Sequence, residues 1–491
     1  MAAIDPRTPV LVGVGQLVQK PAEPTDALEP AAMMAEVVER AAADAGAASL
    51  LSKVDAIRVV KGAWPYQDVG RIVAGRIGAD PAQTAVSTDG GNTPQSLVNK
   101  TCLDIQAGRL DVAVIVGAEG IWSRRRARRA GQKIPYTDDS GSPAAEVIGK
   151  ELPMNSKLEA ERGVEMPVNL YPMFENALRA SKGEPIEDHT VRISELWADF
   201  NAVAVDNPYA WVRTPLTAEQ IRTPTPQNRM VGWPYTKSMN SNWDLDQAAA
   251  LILCSAGTAE ALGIARERWV FPWAGTDAHD TMLVSNRDNL YSSPAIRTAG
   301  RRCFELAGVG PDDVAHADIY SCFPSAVQIS AGELGLGTER RLTVTGGLPF
   351  AGGPLNNYVT HGIAAMAEVL RADPGAVGLN SANGGYVTKH AIGIYSTEPP
   401  AQPFRHADVQ EEVDRFPTRE VIATHVGPAT IEAYTVMHGH EGPEVALVAA
   451  LTPEGRRTWA RSTDAATMAA MMREEHVGRP AEIDADAVAH L

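Results

Sequence analysis

Cysteine is scarce in this sequence. Its four residues, Cys102, Cys254, Cys303 and Cys322, are scattered over 491 positions. With no CxxC pair and no zinc-like spacing, they exclude a disulfide framework and read as reduced thiols. Long apolar runs are also missing, and none approaches the roughly 20 residues that a membrane-spanning helix needs. The start, MAAIDPR, lacks the basic region and apolar core of a secretion signal, so the expectation is a cytoplasmic protein. Positive charge is in deficit, with 44 Lys+Arg against 60 Asp+Glu and a net charge of −16. That balance excludes nucleic acid as the main partner, because phosphate binding needs clustered positive charge. His438-Gly-His440 has no further ligands at useful spacing, so no metal is expected.

What is present suits a large soluble protein. The chain is 44% hydrophobic and 21% charged, and its length implies two or three domains. Pro9–Gln16, Val54–Val60 and Asp111–Glu119 read as buried strands, and Ala31–Gly46 and Thr93–Gln106 as helices. Strands alternating with helices predict parallel pairing with helices on both faces. The order recurs: helix Ser293–Gly308, a strand starting at Asp318–Ser321, helix Asn356–Leu370 and strand Ala376–Asn380. Asp55 aligns with Asp318, and Gly90-Gly91 with Gly352-Gly353, at nearly the same offset, which predicts an internal duplication. Residues 121–245, rich in Pro, Trp, Arg and Met, interrupt the first copy, and Asp246–Ser255 resumes it. After residue 398 the character changes. Glu420–Val426, Ala429–Met437 and Glu444–Leu451 read as strands and Ala465–Glu474 as a helix, which predicts a small antiparallel β-barrel.

Several ordered segments resemble the thiolase superfamily, closest to the sterol-carrier-protein-type thiolases. DQAAALIL at Asp246–Leu253 is similar to a thiolase strand, Tyr320-Ser-Cys-Phe323 to the HDCF motif, Gly346–Pro354 to SGGL…GHP, and Ser381–Gly385 to the CxGG loop. The fused tail resembles the thiolase-like protein type 1 subgroup, often labelled acetyl-CoA acetyltransferase. The resemblance implies an α/β, duplicated, five-layered thiolase fold of two βαβαβαββ halves, with an inserted loop domain and the C-terminal β-barrel. The expected domains are 1–120 with 246–270, a loop domain at 121–245, a second half at 271–398, and the added domain at 399–491.

The same resemblance places the thiolase nucleophile at Gly91 and its activating histidine at Gly353, so both side chains are absent. The motif histidine falls at Tyr320 with Ser321 beside it, and the second catalytic cysteine at Ser381 or Ala382. Cys322 keeps the HDCF cysteine and is the candidate acid/base. Cys102 and His361 lie roughly 16 Å and 12 Å along their helices, too far to substitute. Gly91, Asn92, Tyr320, Gly353, Ser381, Asn383, Gly384 and Gly385 are the expected substrate-binding residues. The glycine pairs are expected to permit close packing of the two central helices, with backbone N–H groups aimed into a pocket, or a widened site, as the alternatives. Lys389 and His390 are expected at the surface or behind it. The arginine run Ser123–Arg129 is a candidate contact for coenzyme A phosphates.

The leading functional expectation is an acyl-CoA-binding protein without the thiolase nucleophile and base. It has no covalently bound cofactor, and CoA or acyl-CoA is its ligand. Alternatives are an acyltransferase of non-standard chemistry using Cys322 and a non-catalytic scaffold whose C-terminal domain docks a protein partner. Monomer and dimer both remain open.

Overall fold

The computed structural model describes residues 4–79 and 82–491. The first half runs β1 (Pro9–Val18), α1 (Pro30–Asp44), β2 (Ala56–Val59), α2 (Val69–Ile77), β3 (Gln83–Ser87), α3 (Thr93–Gln106) and β4 (Val112–Gly120). An excursion follows: α4 (Ile121–Arg129), β5 (Glu146–Ile148), α5 (Pro167–Ser181), α6 (Ile186–Asp206) and a hairpin of β6 (Met230–Gly232) and β7 (Tyr235–Thr236). β8 (Asp246–Ser255) then returns to the sheet. The second half runs β9 (Phe271–His279), α7 (Pro294–Ala307), β10 (Val314–Asp318), α8 (Pro324–Glu333), α9 (Tyr358–Ala372), β11 (Val377–Gly384) and β12 (Lys389–Ser396). The tail adds β13 (Arg405–Asp408), β14 (Gly427–His438), β15 (Pro443–Leu451), β16 (Arg457–Ser462), α10 (Ala465–Met471), β17 (Pro480–Ile483) and β18 (Ala489–His490).

The duplication is visible in the sheets. The first has the order β1-β8-β4-β2-β3-β5 and the second β9-β12-β11-β10, with β13 added beside β9. In each, the last two strands of the half pair antiparallel and the inner one pairs parallel with the half's second strand. Helices α3 and α9 lie between the two sheets and touch both, α1 and α2 cover the outer face of the first, and α7 covers that of the second. Five layers result. β8 shows why its run is apolar throughout: Leu251 and Leu253 face the inner core, while Ala250, Ile252 and Cys254 face the outer one.

Four sequence expectations shift. Asp318 closes β10 instead of opening a strand, while Asp55 precedes β2, so that pair is out of register and only the glycine pairs correspond. Glu420–Val426 forms no strand beyond a bridge from Val421 to Arg457. It is held as a connector, with Arg419 donating to the carbonyls of Asp288 and Gly455. Residues 121–245 are more regular than their pattern suggests. In α5 and α6 the buried polar residues Glu175, Asn176, His189, Ser194 and Asn201 interrupt the apolar stripe. The tail sheet curls, but β16 meets the β18 end through the single bridge Arg461–Val488, so no full closing ladder forms.

The tail packs on its own core, including Tyr434, Val448, Met471 and Ile483, onto which Trp233 from the 121–245 excursion stacks. The hairpin joins the same sheet through Met437–Gly232. Among the described residues, no helix is long and apolar enough to cross a membrane.

Candidate functional site

The C-terminal ends of β10 and β11 and the N-termini of α3 and α9 converge on one cleft, as expected for an α/β sheet whose loops gather beyond the strand ends. A cavity of about 350 Å³ opens there. Gly91, Tyr320, Cys322, Gly353, Asn383, Gly384 and Gly385 all line it. Asn92 and Ser381 do not. Asn92 lies beneath the lining, its Oδ1 buried and without a partner, and the Ser381 hydroxyl accepts from the Tyr320 amide at 3.0 Å.

The positions without side chains are occupied. A Cβ on Gly91 would lie 2.4 Å from the Tyr320 hydroxyl oxygen and 2.4 Å from the Asn383 carbonyl oxygen. One on Gly353 would lie 2.4 Å from Ser241 Oγ. The alternative of a widened site is therefore replaced by refilling: the Tyr320 phenol takes the room at the start of α3, and Ser241 that before α9. Tyr320 packs edge-on against Tyr358, and its hydroxyl has no hydrogen-bond partner among the described residues.

Cys322 sits at the start of α8, where the Asn383 side-chain amide donates to its sulfur at 3.9 Å. Burial dominates, and the thiol is pushed up to about 12. The group is therefore a thiol at neutral pH, and a weaker acid than an exposed cysteine. Tyr171, from α5, is the residue that sequence reasoning missed. Its hydroxyl donates to the Gly385 carbonyl at 2.9 Å and accepts from the Asn383 side chain at 3.0 Å and the Val387 amide at 3.1 Å. Its ring stacks on Phe323 at 4.4 Å. One phenol thus pins the β11–β12 turn to the Cys322 segment.

Lys389 also corrects an expectation. Strand alternation at the start of β12 turns it into the cleft, where Nζ donates to the Asp89 carbonyl at 2.7 Å and burial lowers its pKa. His390 faces the other way, 3.3 Å from Asp280. No histidine lines the cleft among the described residues. His361 is buried, bonded through Nδ1 to Gln16 Oε1 at 2.8 Å, and burial lowers it to about 3, so it stays neutral.

Asp89, Asn240, Ser241 and Asn356 add polar groups to the wall, and its apolar part is Met154, Val168, Phe323 and Leu348 inside, with Met166, Trp243 and Leu355 at the mouth. These last three are exposed by 55, 55 and 36% respectively, and they put an apolar lip on a cavity floored with hydrogen-bonding groups. Leu355 has a φ of 46° and Val387 one of 53°. For a β-branched residue such as Val387 that is a true outlier, stored beside the cleft. The arginine run does not reach this site, since no residue of α4 lines it.

A family model described as thiolase C-terminal domain-like matches residues 276–397, and one described as the thiolase-like protein type 1 additional C-terminal domain matches residues 408–487. The crystal structure of a monomeric SCP2-thiolase like protein type 1 from Mycobacterium smegmatis is 31% identical with a TM-score of 0.84, and 99% of each chain is covered. An Ltp2-ChsH2(DUF35) aldolase is 19% identical with a TM-score of 0.60, covering 79% of this chain and 98% of that one, a likeness of fold alone. An acetyl-CoA acetyltransferase of Methanocaldococcus jannaschii is 22% identical over 270 residues, 55% of this chain, and the match spans only 61% of that protein's length.

Proposed function

The chain belongs to the SCP2-thiolase-like protein type 1 family, and from that premise we propose that its cleft binds an acyl thioester of the coenzyme A class without passing the acyl group to residue 91. The observation that carries the reading is the Tyr320 hydroxyl standing where a side chain on Gly91 would stand. A glycine cannot be acylated, and the space a nucleophile would need is filled by a neutral phenol whose pKa burial raises further. What remains is a binding site. The Met154, Val168 and Leu348 wall suits an acyl chain. The Tyr320 hydroxyl and the amide of Gly91 at the start of α3 are donors for a thioester carbonyl. The acetyltransferase relative acts on acetyl-CoA by name, which supports this ligand class.

The test is calorimetric titration of the full chain with CoA, acetyl-CoA and a long-chain acyl-CoA. The expected result is micromolar binding, about −8 kcal/mol, of the long-chain thioester. It should exceed acetyl-CoA by up to about 0.8 kcal/mol for each methylene buried. Absence of heat with all three ligands overturns the reading, and so does measurable thiolysis of acetoacetyl-CoA.

A second reading has one observation in its favour. The Cys322 thiol faces the cavity in its protonated form, between Tyr171 and Asn383, which is the form a general acid needs. It predicts turnover of a bound acyl thioester that is lost in Cys322→Ala while affinity is kept. Unchanged turnover in that variant would remove it.

A further inference from the structure

The arginine run is used only in part by the fold. In α4, Arg125 pairs with Asp244, and Arg126 donates to the carbonyls of Pro21 and Ala22 while lying over Trp122. Arg124 donates to the Ala63 carbonyl. Arg128 and Lys133 are exposed and have no hydrogen-bond or ion-pair partner among the described residues. With Arg124 they line a separate open groove of about 850 Å³, whose other walls include Trp64, Ile134 and Tyr136.

Three features single this groove out. No carboxylate lines it, although the chain carries 60 acidic residues and a net charge of −16. Arg124 has the buried Glu119 carboxyl within electrostatic reach, but Arg128 and Lys133 have no carboxylate in the groove, so an anion placed between them is favoured. The rings are held in place: Tyr136 stacks on Tyr66 at 5.5 Å, Trp64 lies 5.5 Å from Tyr66, and the Trp64 indole donates to the Ala118 carbonyl at 3.2 Å. A fixed aromatic wall facing paired cations suits a ligand that is planar at one end and multiply charged at the other.

We propose that this groove binds a nucleoside phosphate, with the base against Trp64 and Tyr136 and the phosphates on Arg128 and Lys133. Its lining shares no residue with the cleft, so the proposal stands whether or not the cleft binds a thioester. The chemistry fits a free nucleotide and equally the nucleotide end of a larger molecule such as CoA.

The experiment titrates the full chain with ADP, inorganic pyrophosphate, adenosine and CoA. ADP should bind saturably and more tightly than pyrophosphate or adenosine, because it alone satisfies both walls. Arg128→Glu and Lys133→Glu should each weaken ADP by about tenfold or more, because charge-assisted phosphate contacts are strong. Arg129→Glu reverses the same charge one residue away, outside the groove, and should leave ADP unchanged. All three side chains are exposed, so the fold tolerates the changes. CoA weakened in parallel with ADP identifies a nucleotide-bearing thioester as the source. CoA unaffected identifies a free nucleotide, and both results uphold the site. Pyrophosphate binding as tightly as ADP, equal loss in Arg129→Glu, or no saturation by ADP each overturns it.

Discussion

The refilling of the cleft makes the two glycines unequal, and that inequality is measurable. In Gly91→Ala the new Cβ would sit 2.4 Å from the Asn383 carbonyl oxygen, which belongs to the backbone of β11, and 2.4 Å from the Tyr320 hydroxyl. An ordinary carbon–oxygen contact is about 3.3 Å or longer, so both overlaps approach 1 Å. Tyr320 can tilt, but the strand cannot yield without moving its ladder with β12. Overpacking of this kind costs about 1–3 kcal/mol, and a backbone obstacle puts Gly91→Ala at the upper end. In Gly353→Ala the nearest atom is Ser241 Oγ, which escapes by rotating about one bond, so a cost under about 1 kcal/mol follows. Thermal unfolding of the two variants beside the parent should place Gly91→Ala several degrees below Gly353→Ala. Tyr320→Ala removes one of the two obstacles whole, whereas a phenylalanine would keep the ring Cζ 2.8 Å from the new Cβ, so Gly91→Ala in the Tyr320→Ala background should cost less, with a coupling of about 0.5 kcal/mol or more between the sites. The double variant Gly91→Cys/Gly353→His should gain no thiolysis. Melting of Gly91→Ala with the parent, or thiolysis in the double variant, would refute the refilling argument and leave an ordinary cleft short of two side chains.

Three further outcomes follow from the buried charges and thiols. Burial raises the Glu119 carboxyl from 4.5 to about 7, with one oxygen accepting from the Ala63 amide at 2.9 Å. Between those two values the folded state keeps a proton that the unfolded chain releases. Stability should therefore fall as pH rises through that window, on the order of 3 kcal/mol for this group alone, and Glu119→Gln should flatten that part of the melting profile. Arg457→Met should destabilise by about 3–5 kcal/mol, because it strands Glu432 and the Ser285 carbonyl, which now receives Nη1 at 2.7 Å. Faster hydrogen exchange at residues 284–288 would show where the loss falls. All four cysteines are buried, so a thiol reagent at pH 8 should modify none quickly and all four in denaturant. Rapid reaction at Cys322 would show a thiol far more acidic than its surroundings imply.

The parts of the fold that were legible are those where one local rule acts alone. β8 could be read because both its faces are covered, and α3 because Gly90-Gly91-Asn92-Thr93-Pro94 is a helix start in composition. β9 and β12 escaped because their polar residues have partners contributed from afar: the Tyr395 hydroxyl reaches Gln95 Oε1 at 2.6 Å and His406 reaches Asp277 at 2.8 Å. The site divides the same way. A missing side chain at Gly91 can be read from a motif, but what fills the vacancy cannot, because Tyr320 arrives from the other half of the duplication. Tyr171 carries no local signal at all. It joins the cleft only because α5 packs beneath the β11–β12 turn.

The added domain reaches that turn as well, by a chain of contacts that bears on how its role is tested. Arg457 of β16 is wholly buried, clamps Glu432, and donates to the carbonyls of Ser285 and Arg287. Arg287 in turn donates to the Tyr386 carbonyl and the Thr388 hydroxyl, each at 2.7 Å. Between those residues lies Val387, held at its unfavourable φ of 53° with its amide on the Tyr171 hydroxyl. A strained β-branched residue persists only when both flanks are fixed, and here one flank is fixed through the tail. Asn383 and Gly385, which the same tyrosine holds, form the cleft floor. Deleting residues 400–491 therefore removes a support of the cleft together with any surface that a partner would use, and loss of a partner on truncation would not separate the two. Exchanging exposed residues on the outer face of the tail, such as Glu482 and His490, leaves Arg457 and the turn intact, so partner capture lost in those variants would report docking alone.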